Sequence, residues 1–236
     1  MNPTTTTSNP EIGASASSPA SRQEKAAAQR AEEILDVAIR IFSAEGFAEA
    51  DVQQIADEAG VGKGTVYRHF GNKEQLFLAA AARGLQQLKG AIDSQVDPDA
   101  DPLEQLKQAA QAFLGYFDAN PGIVELVIQE RAHFRDRTTP TFFGPRTDER
   151  AQRWRERMQK LIDRGVVRNL PVEQIIDTIG KFLYGAVFVN YFGRRDKTLS
   201  QQGDQIVDAI FHGILAPAHS SEARHGEGSN TSQAQQ

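Results

Sequence analysis

The chain has 236 residues, enough to bury a sizeable core in one or two domains. It contains no cysteine, which excludes a disulfide framework, a thiolate metal site and a cysteine nucleophile, and fits a reducing cytoplasm. Its formal net charge of −5 argues, taken alone, against a nucleic-acid binder, so such a role requires a local concentration of cations.

Residues 1–22 are rich in Thr, Ser, Ala and Pro and lack the basic start and apolar run of a signal peptide or membrane span. They read as a disordered arm. Arg22 and Lys25, near its end, could reach a DNA groove, and the alternative is a solvated tail. Ala31, Ile34, Leu35, Ala38, Ile41 and Phe42 then fall at helical spacing, and Gly46 ends that helix. Asp51 is placed to cap a second helix, with Gln54 completing a capping-box pattern. Val52, Ile55, Ala56 and Ala59 give this helix one apolar face, and Gly60 stops it. Gly62 is a weaker cap for Lys63 to Phe70. Asn72 caps a helix that starts at Lys73, with Gln75 three residues on. Two short helices joined by a tight turn, with a third helix at once, are the layout of a helix-turn-helix.

Between Val61 and Lys73 the chain carries Lys63, Arg68, His69 and Lys73 and no acid, with hydroxyls from Thr65 and Tyr67. Cations and hydroxyls are what phosphate oxygens and base edges require. An isolated basic run of this size is commonly a solvated face. Here it coincides with the caps and the glycine turn. Glu32, Glu33, Asp36, Asp57 and Glu58 are then expected to face away from DNA.

The stretch VGKGTVYRHFGNKEQLF resembles the DNA-binding signature of the tetracycline-repressor (TetR) family of bacterial regulators. The resemblance continues upstream through ILDVAIRIFSAEGFAEADVQQIADEAG and covers roughly residues 25 to 80. It departs at Gly62, where serine is common, and at Ala50-Asp51, where two small hydroxyl residues are common. Matched to the motif, the candidate DNA-contacting residues are Lys63, Gly64, Thr65, Tyr67, Arg68, His69 and Lys73. The resemblance implies a homodimer on a palindromic double-stranded operator, since two recognition helices must lie about 34–36 Å apart to read successive turns.

The rest of the chain reads as helix. The Lys73 helix runs to about Ile92 and breaks at Asp97-Pro98. Pro102 starts a helix to Ala119 that stops at Asn120-Pro121-Gly122. Residues 123–135 form another, and 138–145 a loop. A charged helix spans 147–164 and ends at Gly165. Pro171 opens an apolar helix to Phe192, and Asp204 to Leu215 is the last. The apolar segment 175–192 is too short and too interrupted by Lys181 and Asn190 to span a membrane. By periodicity it is core or subunit interface, and the resemblance implies interface. Residues 23–72 are thus expected to form the DNA-binding domain, 73–216 a helical ligand-binding and dimerisation domain, and 217–236 a disordered tail.

Aromatic residues collect in the second domain. Phe113, Tyr116, Phe117, Trp154, Tyr184 and Phe188, with His133, are candidates to line an effector pocket, and ordinary core packing is the alternative for each. Glu130 and His133 stand at the (i, i+3) spacing of carboxylate metal bundles, but no second pair accompanies them. They read instead as an arginine-paired acid and a pocket or core histidine. No catalytic motif, metal site or cofactor is expected. The reading is an all-α, cytoplasmic transcriptional regulator with no membrane association, acting as a repressor released from DNA by a small apolar or amphipathic molecule. An activator or ligand-independent DNA-binding protein with the same head remains an alternative, and a helical-bundle metal protein or enzyme a remote one.

Overall fold

The computed structural model describes residues 19–137, 139–143, 149–193 and 197–212. Its first helix, α1 (Pro19–Glu49), is interrupted at Gly46, whose φ of 88° and ψ of 161° are accessible to glycine and costly for other residues. The predicted stop is therefore a break, after which the chain makes one more turn. The helix begins within the segment read as an arm; residues 1–18 lie outside the described residues, as does the tail from 213.

α2 (Val52–Glu58) is capped by Asp51, whose carboxylate accepts the Gln53 N–H at 2.8 Å. The capping box expected with Gln54 does not form. The Gln54 amide instead reaches Glu45 at 2.9 Å and Glu58 at 3.3 Å. Gly60, at φ 66°, closes α2 with the paired bonds of a Schellman turn, Val61 N–H to Ala56 C=O and Gly60 N–H to Asp57 C=O. α3 (Lys63–Phe70) starts at Gly62 without a side-chain cap. Asn72 caps α4 (Lys73–Gln95) through the Gln75 N–H at 2.8 Å.

The remaining elements are α5 (Pro102–Ala119), α6 (Gly122–His133), a short 3-10 turn at Thr141–Phe143, α7 (Glu149–Asp163), α8 (Val172–Gly193) and α9 (Leu199–His212). The described residues contain no strand. α9 begins five residues before the predicted Asp204. Its first N–H groups, of Leu199 and Ser200, are taken by the Asp118 carboxylate of α5, at 2.7 and 2.5 Å. Thr198 and Gln201 add a reciprocal capping box.

Ile34, Phe42, Ile55, Val66, Leu76 and Phe77 are fully buried where α1 to α4 meet. Phe42 and Phe77 meet edge to face at 5.1 Å, and Phe134, just after α6, stacks on Phe77 at 5.5 Å. The buried cluster runs without a break into α5, α6 and α8, so the head and the bundle share one core. Gly84 marks a close crossing, because a Cβ there would strike Ile123 of α6.

Candidate nucleic-acid interface and cavity

α3 is anchored by Val66, which has no exposed surface, and by Phe70. Packing these two inward turns Gly64, Tyr67 and Arg68 to solvent one helical turn apart, with Lys63, Thr65 and His69 along the flanks. The six candidates on α3 thus occupy the arc of this short helix that Val66 and Phe70 leave uncovered. Tyr67 is 39 % exposed, so its ring and hydroxyl are accessible on the outer face of α3.

Lys73 is held differently from the sequence expectation. Its ammonium donates to the Ala48 carbonyl at 2.9 Å and lies 5.2 Å from the Phe47 ring centroid. It therefore fastens the start of α4 to the turn after Gly46 while keeping further N–H groups for a phosphate. Lys63 sits 3.5 Å from Asp51, and both remain largely exposed. The Asp51 carboxyl is held below its ordinary range, first by the Gln53 N–H and then by Lys63. An ionised Asp51 beside a DNA strand opposes a phosphate contact at that position. The acids of α1 and α2 are engaged elsewhere: Asp36 and Glu32 with Arg83 of α4, and Glu58 with Arg40 at 2.6 Å.

A cavity of about 670 Å³ lies among α4, α5, the 141–143 turn, α7 and α8. Phe113, Trp154, Tyr184 and Phe188 line it, together with Phe142 and Phe143. The other three pocket candidates lie elsewhere. Tyr116 turns toward α4, where its hydroxyl donates to the Gly84 carbonyl at 2.8 Å, and Phe117 is buried against Phe113 and the Tyr184 ring without bordering the cavity. Burial, with a smaller push from the charge of Asp36, raises the Tyr116 phenol well above its ordinary value. His133 is exposed and packs against the Phe47 ring at 5.1 Å, beside the head. Glu130 is buried and is held by the N–H and hydroxyl of Thr141, both at 2.9 Å, and by Arg137 at 3.3 Å. It pins the turn that carries Phe142 over the cavity.

Sequence reasoning missed the aliphatic wall, Ile92, Leu106, Met158, Ile176 and Leu183, because apolar residues at helical spacing look the same in a core and in a cavity wall. It also missed the rim. Arg155 meets Glu173 at 2.6 Å, and Lys181 meets Asp177 at 2.6 Å. The charges at the mouth are therefore already matched, and the interior is apolar. The volume and lining suit an organic molecule held mainly by burial.

α8 shows two faces. Leu183 and Val187 are buried in the bundle, whereas Phe182, Val189 and Phe192 are 53 %, 52 % and 66 % exposed. The outer face continues as a groove against Gln202, Ile206 and Ala209 of α9. No helix among the described residues is long and apolar enough to cross a membrane.

Residues 34–80 match the family model for bacterial regulatory proteins of the tetR family. The HTH-type transcriptional repressor KstR2 of Mycolicibacterium smegmatis is 25 % identical over 190 residues, 79 % of this chain and 91 % of its own length. Among solved structures, the TetR-family regulator PfmR of Thermus thermophilus aligns with 78 % of this chain and 99 % of its own, with a TM-score of 0.57 and 22 % identity. The regulator FadR of Bacillus subtilis, solved in complex with stearoyl-CoA, aligns with 78 % of this chain and 98 % of its own, with a TM-score of 0.59 and 16 % identity.

Proposed function

We propose, from the premise that the chain belongs to the tetR family of bacterial regulatory proteins and is a DNA-binding transcriptional regulator, that it acts as a homodimeric repressor released from a palindromic operator by an apolar or amphipathic small molecule. The observation that carries this reading is the placement of the cavity. Its wall includes Ile92 of α4, and Phe142, also in the wall, approaches Gly84 of the same helix. α4 begins at Lys73, beside α3. A ligand pressing on Phe142 or Ile92 therefore acts on the helix that carries the head.

Release requires that the ligand bind better to a state whose α3 is misplaced for DNA. A coupling of about 1–3 kcal/mol weakens operator binding by one to two orders of magnitude. The candidate contacts divide by position. Lys63 and Thr65 lie at the start of α3 for base edges, and Tyr67, Arg68, His69 and Lys73 follow toward the backbone. Gly64 lets the strand approach closely. The name of KstR2 as a repressor supports the sign of regulation, and the acyl ligand of FadR is in keeping with an apolar cavity. The uncovered apolar face of α8 and its groove with α9 support the dimer. The reading involves no catalytic step and no cofactor.

The test is a mobility shift on DNA flanking the gene, followed by calorimetry of compounds found by thermal shift. Operator DNA must weaken the binding of a true effector by the same factor by which the effector weakens DNA binding. Gly180→Leu extends a side chain from the cavity wall into open space. It should abolish effector binding and leave operator binding intact. A tightly bound compound with equal affinity in the presence and absence of operator would refute release by that compound.

A further inference from the structure

Regulation at a distance needs a physical connection between α8 and the head, and a hydrogen-bonded one is present. Tyr191, three residues beyond Phe188 of the cavity wall, donates its hydroxyl to Glu125 Oε2 of α6 at 2.8 Å. The other oxygen of that carboxylate accepts from Gln129 Nε2 at 3.0 Å. Gln129 is 8 % exposed, and its Oε1 accepts the backbone N–H of Phe47 at 2.5 Å. Its Nε2 also faces the Phe42 carbonyl at 3.3 Å. Phe47 is the residue after the break at Gly46. Three side chains thus join α8, through one face of α6, to the point where α1 turns toward α2 and α3.

The geometry around this line is close. Glu125 and Gln129 are one turn apart on α6, so both lie on the same stripe. A Cβ on Gly46 would sit 3.7 Å from the Gln129 amide, and one on Gly122 would collide with Ser43 of α1. α6 therefore crosses α1 closely at Gly122 and meets it in ordinary van der Waals contact at Gln129. Burial and the neighbouring Glu125 raise the Tyr191 phenol above its ordinary value, so it stays a donor at neutral pH. A buried Gln129 alone would satisfy the Phe47 N–H. Continuation through an ionisable carboxylate to a phenol on α8 is more than satisfaction requires.

We propose that Tyr191, Glu125 and Gln129 form a strut that sets the position of α3 relative to α8, and hence the separation of the two recognition helices in the dimer. The inference rests on the homodimeric operator-binding reading above. α8 carries both cavity wall and outer apolar face, so a shift of α8 caused by a ligand is delivered along this line to the Gly46–Phe47 turn. The three are positioning residues and touch neither ligand nor DNA.

The test uses the full chain, a palindromic DNA selected in vitro with the unaltered protein, and the corresponding single half-site. Tyr191→Phe removes one hydroxyl, and Glu125→Gln removes the charge that joins the two donors. Each should lower palindrome affinity by about 5- to 20-fold, the lower part of the usual range for coupled sites. Half-site affinity should stay within about twofold, and the double variant should be no weaker than the weaker single one within the same margin. Unchanged palindrome binding, equal loss on the half-site, or additive losses would each overturn the strut. Amide exchange at Phe47 needs no DNA and should be at least about threefold faster in Tyr191→Phe, with the same melting temperature. An unaltered protein that shows no preference for a palindrome refutes the dimeric operator reading. The exchange measurement then decides the strut by itself, and also decides it should Glu125→Gln fail to fold.

Discussion

The head and the bundle close their helices with different partners. In the head the closing groups sit beside the ends they close: Asp51 two residues from the N–H it accepts, Gly60 two residues after α2, Asn72 three residues from Gln75 N–H. The bundle adds distant partners to local caps such as Asp101 on α5 and Thr198 on α9: α9 also begins on a carboxylate 81 residues earlier, and the turn over the cavity is pinned by Glu130 from 11 residues away. α2, α3 and the start of α4, closed locally, keep their shape when neighbouring helices move, whereas the Gly46–Phe47 turn is held from α6 by Gln129. A bundle closed by distant pairs, around a cavity of about 670 Å³, changes shape when those pairs change. The division suits a reader of DNA carried on a responsive support.

The strongest test of this division is Phe77→Ala. Phe77 is fully buried and meets Phe42 and Phe47 of the head and Phe134 beyond α6. Its loss should cost about 3–5 kcal/mol. Because the core is continuous, denaturant unfolding followed by far-ultraviolet circular dichroism should remain a single transition at lower midpoint. Two resolved transitions would show that head and bundle are energetically separate. Next in size, Thr65→Ala should cost about 1–3 kcal/mol on operator and little on scrambled DNA, whereas Tyr67→Phe should weaken both alike. Titrations at several salt concentrations separate the two, and equal losses for Thr65→Ala on both DNAs would remove its base-reading role.

Asp118→Ala tests the distant closure. It removes the acceptor of two N–H groups at the start of α9 and should cost about 1–2 kcal/mol, the upper part of the range for a lost cap. The loss should appear as faster amide exchange confined to the first turn of α9. The smallest effect concerns acid. The folded-state pKa of Asp51 is depressed, so its contribution is present above the unfolded value of about 3.8 and is lost as pH falls through the folded value. Asp51→Asn should therefore flatten the stability profile below about pH 4, leaving strongly acid pH unchanged and lowering stability slightly at neutral pH, where the charge contribution is fully present. An unaltered acid slope would mean that the carboxylate charge adds nothing to the cap.

The same division decides what could be read from the residues alone. α2, α3 and the start of α4 were legible because their signals are local: a cap, a glycine, an acid-free run. The break at Gly46 was legible for the same reason. The cavity was half legible. Phe113, Trp154, Tyr184 and Phe188 border it, but helical spacing cannot say that Phe113 faces it while Tyr116 turns to α4 and Phe117 packs behind Phe113. His133 was misplaced because its neighbour, the Phe47 ring, lies 86 residues away. The box at Thr198 and Gln201 was written in the sequence and was missed in favour of Asp204 as the start. Of the rim charges, Asp177 and Lys181 stand four apart on α8 and could have been paired from spacing, whereas Arg155–Glu173 and the line from Tyr191 to Phe47 depend on helices meeting in space.

The Asp118 cap also has a consequence for the order in which the molecule is made. A chain emerging from its N-terminus can complete α1 to α4 early, since their ends close with nearby residues. α9 is made much later, and its first turn is finished only when it docks on α5, a contact of long sequence separation that forms slowly. Until then the groove shared by α8 and α9 is incomplete. On the dimeric reading proposed above, nascent chains on neighbouring ribosomes carry the helix-turn-helix before the surface for pairing is finished, which limits association between half-made copies, a characteristic failure of larger folding chains.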